Sequence, residues 1–571
     1  MNNELKAIQM DNRDERAHLA GTTRNVDTLA WFSADMDPVV LLALVRNPLF
    51  NRYMFDRMPF KLQKKSGKDE FWVWSDIMEA LLGSKVVTLE EKEGFIKVLK
   101  RERDKLPPKD TYCPIPWNHL GIMTNGDIRM CCQMIYPPFG RTKVNVKDVK
   151  NIDDVRNLPV LKQVRKSMLE GKKHSLCKLC WDEEKFGGRS KRTHQSEVYS
   201  KLTPLITGAT KKNGEIDVKK IPLNYYDLRL GNKCNLKCRS CGPTESDLWL
   251  EDIKSLGDKE LSYYGVKDYD LKEVDGLMTI DSTDFDWPQA TNFLDQILDN
   301  KQNVDRLYFT GGEPSVNIPH IQFLQKLVKE NVAKNIYLEY NSNGISLPDR
   351  LLNLWKDFDG VGIGFSIDAT EERYEYLRFP GRWYKFLNTI KKIDTFITTA
   401  GMSNFTASLA PTTSIYNLIH MIDLQKFVWT TPKWFSKYIP MHVLEHPDYM
   451  NPKIFPIEAK KKINEIYQQF FATVEDDYID KIEDLEAKTY SLNSINTLKH
   501  LLDYIQEEVP NQRELLIDFY EKTEIMDKVR KQNWEVTFPE LSILNIPQFR
   551  IANFTQGPYS DPGTYEIPVA R

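Results

Sequence analysis

Cys234, Cys238 and Cys241 stand in the run Leu-Gly-Asn-Lys-Cys-Asn-Leu-Lys-Cys-Arg-Ser-Cys, a C-x3-C-x2-C spacing. Three thiolates on one short loop can each hold one iron of a cubane iron–sulfur cluster. The fourth iron is then open to a ligand from outside the chain. An open iron on a redox cluster points to chemistry, whereas a closed one points to electron transfer or structure. A zinc site would need a fourth protein ligand, and no histidine lies between His194 and His320.

The other five cysteines are Cys113, Cys131, Cys132, Cys177 and Cys180, so all eight fall between 113 and 241. A secreted disulfide framework would spread its cysteines along the chain, and clustering favours metal or cluster binding. The stretch from Cys113 to Cys132 has Asn125-Gly126 near its middle, which reads as two strands around a turn. Such a hairpin returns Cys113 beside Cys131 or Cys132. Cys177 and Cys180 form a C-x2-C pair, and the two elements together can build a four-thiolate site. Adjacent residues of a strand point to opposite faces, so only one of Cys131 and Cys132 should face it. A zinc ribbon would take the same ligands.

The elements that must position these residues follow from periodicity. Tyr225-Tyr-Asp-Leu-Arg-Leu leads into the three cysteines, and Val304-Asp-Arg-Leu-Tyr-Phe-Thr leads into Gly311-Gly312-Glu313. Asn335–Tyr340, Gly360–Asp368 and Phe405–Ala410 are further short β-rich runs, with helical spacing between them, as at Leu324, Leu327 and Val328. This alternation predicts a parallel α/β domain, open or closed into a barrel. The spacing predicts helices after residue 452, with Ile463, Ile466, Tyr467, Phe470, Phe471 and Val474 on one face and Leu498, Leu501, Leu502 and Ile505 on another. The turn-rich run Gly557–Gly563 reads as an extended tail. At the other end, a turn at Asp37-Pro38 separates two apolar segments, which resemble one unit of a HEAT-like helical repeat. The boundaries read as a helical region over 1–108, a cysteine-rich domain over 109–200, a linker over 201–221, an α/β core over 222–451 and a helical region over 452–571.

The chain has 571 residues, with 78 Lys plus Arg against 81 Asp plus Glu, a net charge of −3. No global basic field is present to draw in a nucleic-acid backbone. The first residues lack the apolar segment of an export signal, and no apolar run approaches the ~20 residues that span a bilayer. The expectation is a soluble, cytoplasmic protein with no membrane partner.

Over roughly residues 222–450 the chain resembles the radical S-adenosylmethionine enzymes. Cys234, Cys238 and Cys241 match the family's cysteine loop after the first strand. Gly311-Gly312-Glu313-Pro314 matches its glycine–glycine–glutamate motif after the second. Asn341-Ser-Asn343-Gly344 follows the third strand, where the family often has Thr-Asn-Gly, and Ser366-Ile-Asp368-Ala369 closes the fourth. The resemblance implies a partial parallel (β/α)6-type barrel and a [4Fe–4S] cluster whose open iron binds S-adenosylmethionine. It also implies a reductant such as flavodoxin or ferredoxin. Reductive cleavage would yield a 5′-deoxyadenosyl radical that abstracts hydrogen from a substrate. Gly311 and Gly312, lacking Cβ atoms, would admit the ligand closely, and Glu313 would accept from its ammonium group. Asn343, Ser366 and Asp368 would bond the ribose or methionyl part. Arg378 would pair with the carboxylate, the alternative being a helix-end surface charge. Ser240 departs from the family, which often has an aromatic residue before the third cysteine, packing near adenine.

The upstream cysteines resemble a SPASM or twitch domain, which holds an auxiliary [4Fe–4S] cluster. Here that domain would precede the core instead of following it. The SPASM resemblance implies a peptide or protein side chain as substrate. Radical modification of a nucleotide or small molecule, or a non-catalytic binding protein stapled by zinc or a cluster, are the alternatives. His442, Glu445 and His446 follow the expected sixth strand, where they would be solvated loop residues or touch substrate. Trp117, Trp181 and Trp383 read as packing residues.

Overall fold

The structure, a computed structural model, describes residues 13–22, 37–47, 88–90, 107–134, 144–185, 188, 190–256, 271–274, 277–280, 285–440 and 442–544. The chain divides into two compact units. The first comprises Met1–Asn118, Arg156–Cys180 and Arg189–Pro222; the second comprises His119–Val155, Trp181–Gly188 and Leu223–Arg571. No helix among the described residues is long and apolar enough to cross a membrane.

In the first unit the Asp37-Pro38 turn opens a helix, Pro38–Arg46, with Pro at a position that needs no N–H donor. Asp37 caps it by accepting from the Val39 N–H at 2.9 Å. Helix Pro159–Leu169 buries Leu161, Val164, Met168 and also Arg165. Arg165 meets no carboxylate among the described residues. Its guanidinium donates to the Pro116 carbonyl at 2.8 and 2.7 Å and to the Arg156 carbonyl at 2.5 Å. Burial, with the Arg156 charge adding, lowers its pKa to about 9. Arg156 in turn donates to the carbonyls of Trp117, Val218 and Ile221. The 201–221 stretch, expected as a linker, is therefore packed into this unit. Gly214 there has φ +82°, and a Cβ on it would lie 1.9 Å from the Lys162 carbonyl oxygen. Its polar turn residues look like a connector in sequence; the two inward arginines that hold it lie more than forty residues upstream.

The second unit contains nine described strands: β1 His119–Ile122, β2 Ile128–Arg129, β3 Tyr225–Leu228, β4 Leu271–Val274, β5 Leu277–Ile280, β6 Arg306–Phe309, β7 Tyr337–Ser342, β8 Gly360–Phe365 and β9 Phe405–Leu409. β4 and β5 form a separate antiparallel pair, and the rest form one sheet in the order β9-β8-β7-β6-β3-β1-β2. All its neighbours are parallel except β1 and β2. One cross-sheet row, Leu120, Tyr226, Leu307, Leu338, Val361 and Phe405, is buried throughout. The adjacent row, Asp227, Tyr308, Glu339, Gly362 and Thr406, points the opposite way and is largely polar. Helices pack on the apolar face. Phe309 of β6 meets His320 of helix Ile318–Lys329, and Tyr340 of β7 meets Trp355 of helix Asp349–Trp355.

The α/β class with a mainly parallel sheet and helical ends is as expected. Five strands of the expected barrel, β3, β6, β7, β8 and β9, are regular. Beyond β9, among the described residues, the pattern continues as parallel bridges from Ala407 to Phe435 and from Thr413 to Val443. The hairpin expected around Asn125-Gly126 forms as β1 and β2, with Gly126 at φ +82°. It does not stand apart in a cysteine-rich domain. β1 pairs in parallel with β3 and so covers what would be the sheet's open edge.

The three longest described helices after the sheet are Ile457–Asp477, Leu485–Ile505 and Gln512–Arg530. Leu498, Leu501, Leu502 and Ile505 are buried as expected, but Ile466 is exposed and Phe471 half-buried, so the first helix buries a narrower stripe. The expected tail over 557–563 lies outside the described residues. The last described segment is clasped by charge. His420 Nδ1 lies 2.9 Å from Asp423, and Nε2 hydrogen-bonds Glu540, which also accepts from Arg373. Burial opposes a charged His420, yet the bonds to Asp423 and Glu540 outweigh it and raise its pKa. Burial likewise opposes a charged Glu540, and the bonds from His420 and Arg373 overcome it, lowering the carboxyl to about 2. Stability from a raised histidine is complete below its unfolded pKa of about 6.5 and is lost as pH rises through the folded value. Stability from the depressed carboxyl is complete above its unfolded pKa of about 4.3 and is lost as pH falls from there through about 2. Melting temperatures are therefore expected to decline on the alkaline side of about pH 6.5, and His420→Gln is expected to flatten that limb in calorimetric melts.

Candidate functional site

The three cysteines follow β3 on a loop held at nearly every residue. Asn232 Nδ2 donates to the Pro243 carbonyl at 2.9 Å, and the Cys234 N–H donates to Asp247 at 3.3 Å. Ser246 Oγ donates to the Leu236 carbonyl at 2.6 Å, and Trp249 Nε1 donates to the Cys238 carbonyl at 3.2 Å. Leu236 anchors the loop's middle in the core. On the other side the loop's backbone runs along residues 377–379: the Lys237 N–H donates to the Phe379 carbonyl at 2.7 Å and the Arg239 N–H to the Leu377 carbonyl at 2.8 Å.

The thiols lie close together. Cys238 and Cys241 hydrogen-bond each other, and Cys234 is within electrostatic reach of Cys238. The Cys241 bond draws the Cys238 thiol down to about 7, with the Arg378 charge adding, while burial, with Cys238 beside it, raises Cys234 to about 12. Among the described residues no group of three or more His, Cys, Asp or Glu is arranged around a single ion. A cubane asks for a different layout, one thiolate per iron. Three thiols on a rigid loop beside a cationic guanidinium fit such a cluster. Nearby, the buried Tyr374 hydroxyl and Ser315 Oγ have no hydrogen-bond partner among the described residues. The Tyr374 side chain is in electrostatic reach of Arg378, Cys238, Asp368 and Glu313.

The residues expected to touch a ligand are brought to one end of the parallel strands, but several are engaged with one another. Glu313 is buried, and its carboxylate accepts from the Ser315 N–H at 3.0 Å, Ser342 Oγ at 2.9 Å and the Asn343 N–H at 2.8 Å. Burial, partly offset by these donors, raises its pKa. Its visible work is to join the ends of β6 and β7. Asn343 Nδ2 donates to Asn235 at 2.7 Å, linking the β7 end to the cysteine loop. Asp368 and Arg378 are both buried and paired, Nη2 to Oδ1 at 2.9 Å and Nε to Oδ2 at 2.8 Å. Arg378 is thus not a helix-end surface charge. Its Nη1 donates to Cys238 Sγ at 3.7 Å. Ser366 is half-buried, its N–H donating to the Ser342 carbonyl at 2.8 Å.

The two glycines make room for the chain itself. Gly311 has φ +103°, and a Cβ there would lie 2.7 Å from Arg229 Cβ. A Cβ on Gly312 would lie 2.1 Å from the Lys233 carbonyl oxygen. The close approach expected of a ligand is made in this structure by the residues leading into Cys234.

A third layer comes from the C-terminal helices, which sequence reasoning did not connect to the site. Arg239, between the second and third cysteines, hydrogen-bonds Asp527, donates to Gln532 at 2.9 Å and stacks 4.3 Å over Tyr376. Asp527 also accepts from Tyr376 at 2.7 Å and from the Trp534 N–H at 2.7 Å. Asp252 bridges Lys237 at 2.7 Å and Arg530 at 2.8 Å. The signal available in sequence was two charged residues, Lys237 and Arg239, inside a loop that must be buried. Asp527→Ala leaves Arg239 buried without its carboxylate, and breaking such a pair costs roughly 3–5 kcal/mol. The expected outcome is a lower urea midpoint together with poorer iron retention through gel filtration.

Of the remaining cysteines, Cys113, Cys177 and Cys180 lie together in the first unit. They interact electrostatically, with Arg192 nearby. Burial, with Cys180 adding, pushes Cys177 up to about 12, and Cys113 rises for the same reasons. In the second unit the Gln133 N–H donates to Cys131 Sγ at 3.5 Å, while Cys132 is in electrostatic reach of Arg229. His442 and His446 are exposed and Glu445 half-buried. Trp117 and Trp383 pack, Trp117 donating to Thr210 at 2.9 Å and Trp383 meeting Tyr374 and Phe427. Trp181 is buried.

Residues 228–406 match the family model described as the Radical SAM superfamily, which marks this part of the chain as a radical SAM enzyme domain. No curated protein matches the chain. Among solved structures, Streptococcus suis SuiB bound to S-adenosylmethionine is similar at 11% identity, over 62% of this chain and 68% of that one, with a TM-score of 0.24. SuiB bound to the precursor peptide SuiA is similar at 12% identity, over 58% and 67%, with a TM-score of 0.25. Likeness at these scores adds no weight to the fold or the site.

Proposed function

We propose that the chain is a radical S-adenosylmethionine enzyme that abstracts hydrogen from a peptide or protein side chain. The observation that carries the reading is the rigid loop presenting Cys234, Cys238 and Cys241 beside the Glu313 and Asp368–Arg378 strand ends, within the segment matched to the superfamily. When bound, a [4Fe–4S] cluster with S-adenosylmethionine supplies a 5′-deoxyadenosyl radical on one-electron reduction. Cys234, Cys238 and Cys241 would hold the cluster, one iron each. Asn343 and Ser366, at the ends of β7 and β8, stand where parallel α/β sheets place ligand contacts. Glu313 holds the β6 and β7 ends in register, so that their backbones present fixed donors and acceptors. The C-terminal helices keep the back of the cysteine loop dry through Arg239, Arg530 and Asp252.

Cys113, Cys177 and Cys180 are the proposed ligands of an auxiliary cluster, while Cys131 and Cys132 belong to the second unit. The peptide substrate class rests on the resemblance of this cysteine-rich stretch to SPASM or twitch domains. Anaerobic reconstitution with iron and sulfide, then dithionite and S-adenosylmethionine, tests the reading. About eight irons per chain and release of 5′-deoxyadenosine are expected. Fully loaded protein that releases none, with candidate peptides present, would overturn it. About four irons with one zinc would remove the auxiliary cluster and leave the core.

A further inference from the structure

Arg378 reaches Cys238 as part of a fixed assembly. Its Nη2 and Nε face Asp368, and Nη1 is left to donate to Cys238 Sγ at 3.7 Å. Asp368 has no freedom to carry the guanidinium elsewhere. Its Oδ1 also accepts from the Thr412 N–H at 2.8 Å, and its carbonyl accepts from Asn417 Nδ2 at 2.7 Å. The backbone on either side of Arg378 is bonded to the cysteine loop itself, through the Leu377 and Phe379 carbonyls. Loop and guanidinium are therefore held in register by main-chain as well as side-chain contacts. Arg378, Asp368 and Cys238 are 7%, 4% and 5% exposed. An incoming carboxylate would have to compete with a buried, two-point ion pair to capture Arg378.

We propose that Arg378 is a positioning residue that sets the reduction potential of the cluster through its N–H···S bond to Cys238, with Asp368 aiming it. The inference rests on the cluster reading of the Cys234–Cys238–Cys241 loop. Reduction adds one negative charge to the cluster and its thiolates. A donor to a ligand sulfur stabilises the reduced form and raises the potential. The Arg378–Asp368 pair is neutral overall, but its positive end is the end against Cys238, so the pair acts as an aimed dipole. Among the other charges in reach of Cys238, Asp368 opposes the effect and Arg530 adds to it. Water does not screen the contact, since burial leaves a low local dielectric in which such a dipole acts strongly.

The test is an EPR-monitored potentiometric titration of the anaerobically reconstituted full-length protein, with wild type, Arg378→Lys and the double variant Arg378→Met, Asp368→Asn compared at matched iron content. The double variant removes both members of the pair, so no uncompensated charge is left buried. Its midpoint is expected to move to lower potential, with about tenfold less reduced cluster at a fixed potential, which is about 59 mV for a one-electron couple. Arg378→Lys keeps the charge and loses the fork, and a smaller shift in the same direction is expected. Unchanged midpoints in both variants would overturn the proposal while the cluster reading stands. A wild-type protein that gains no reducible cluster would overturn the cluster reading and the proposal with it.

Discussion

Cys238→Ser is expected to abolish 5′-deoxyadenosine formation and to lower reconstituted iron from about eight atoms per chain to about four. Cys238 has the most constrained surroundings of the three thiols. It is buried, bonded to Cys241 and to Arg378, and its carbonyl accepts from Trp249. A serine oxygen is a harder and much less acidic donor, and soft thiolates are what iron–sulfur clusters select. The irons that remain would be those of the proposed auxiliary cluster, whose candidate ligands Cys113, Cys177 and Cys180 are untouched. Iron assay, the cluster's absorbance and chromatographic detection of 5′-deoxyadenosine read the three parts of the result. If Cys238→Ser retained both full iron and turnover, the assignment of the loop would be wrong.

Gly312→Ala is expected to be nearly as damaging, although it adds a single methyl group. The new Cβ would sit 2.1 Å from the Lys233 carbonyl oxygen, 2.8 Å from its carbonyl carbon and 3.0 Å from that of Asn232. These are backbone atoms of the segment entering Cys234, and they cannot rotate aside as a side chain would. The Glu313 N–H also donates to that same Lys233 carbonyl at 2.8 Å. Either this bond breaks or the loop shifts, and a displacement of about 1 Å in a reactive geometry can cost on the order of 100-fold in rate. The expected readout is a fold-preserving variant with depleted core iron and at least that loss of 5′-deoxyadenosine production. Gly208→Ala is the matched control, since a Cβ there meets no atom within 4 Å. Equal turnover in the two variants would show that the Gly312–Lys233 contact does not place the loop.

The two glycines also show where sequence reasoning stops. A Gly-Gly-Glu run after a β-strand announces a tight approach, and the approach is there. Its partner was not legible, because Lys233 lies 79 residues away and only strand pairing between β3 and β6 brings it near. Glu313 is a similar case. Its place at a strand end follows from the alternation of Leu307 and Phe309, but its three donors come from the following turn, the last residue of β7 and the residue after it. The hairpin is the reverse case. Asn125-Gly126 was enough to locate the turn, since φ above zero is a local demand. That β1 then pairs with β3 depended on an unpaired edge in another part of the chain.

The sequence by itself determined the cysteine loop, the order of the motifs and the rhythm of strands and helices that carries them. These are local properties: ligand type is a matter of side-chain chemistry, and element type is a matter of period. Only the tertiary structure decided which buried charges meet. Asp368 pairs with Arg378, ten residues away, and Arg239 with Asp527, 288 residues away. No periodicity encodes such choices, because a charge taken out of water settles on whichever counter-charge the completed fold has brought within reach.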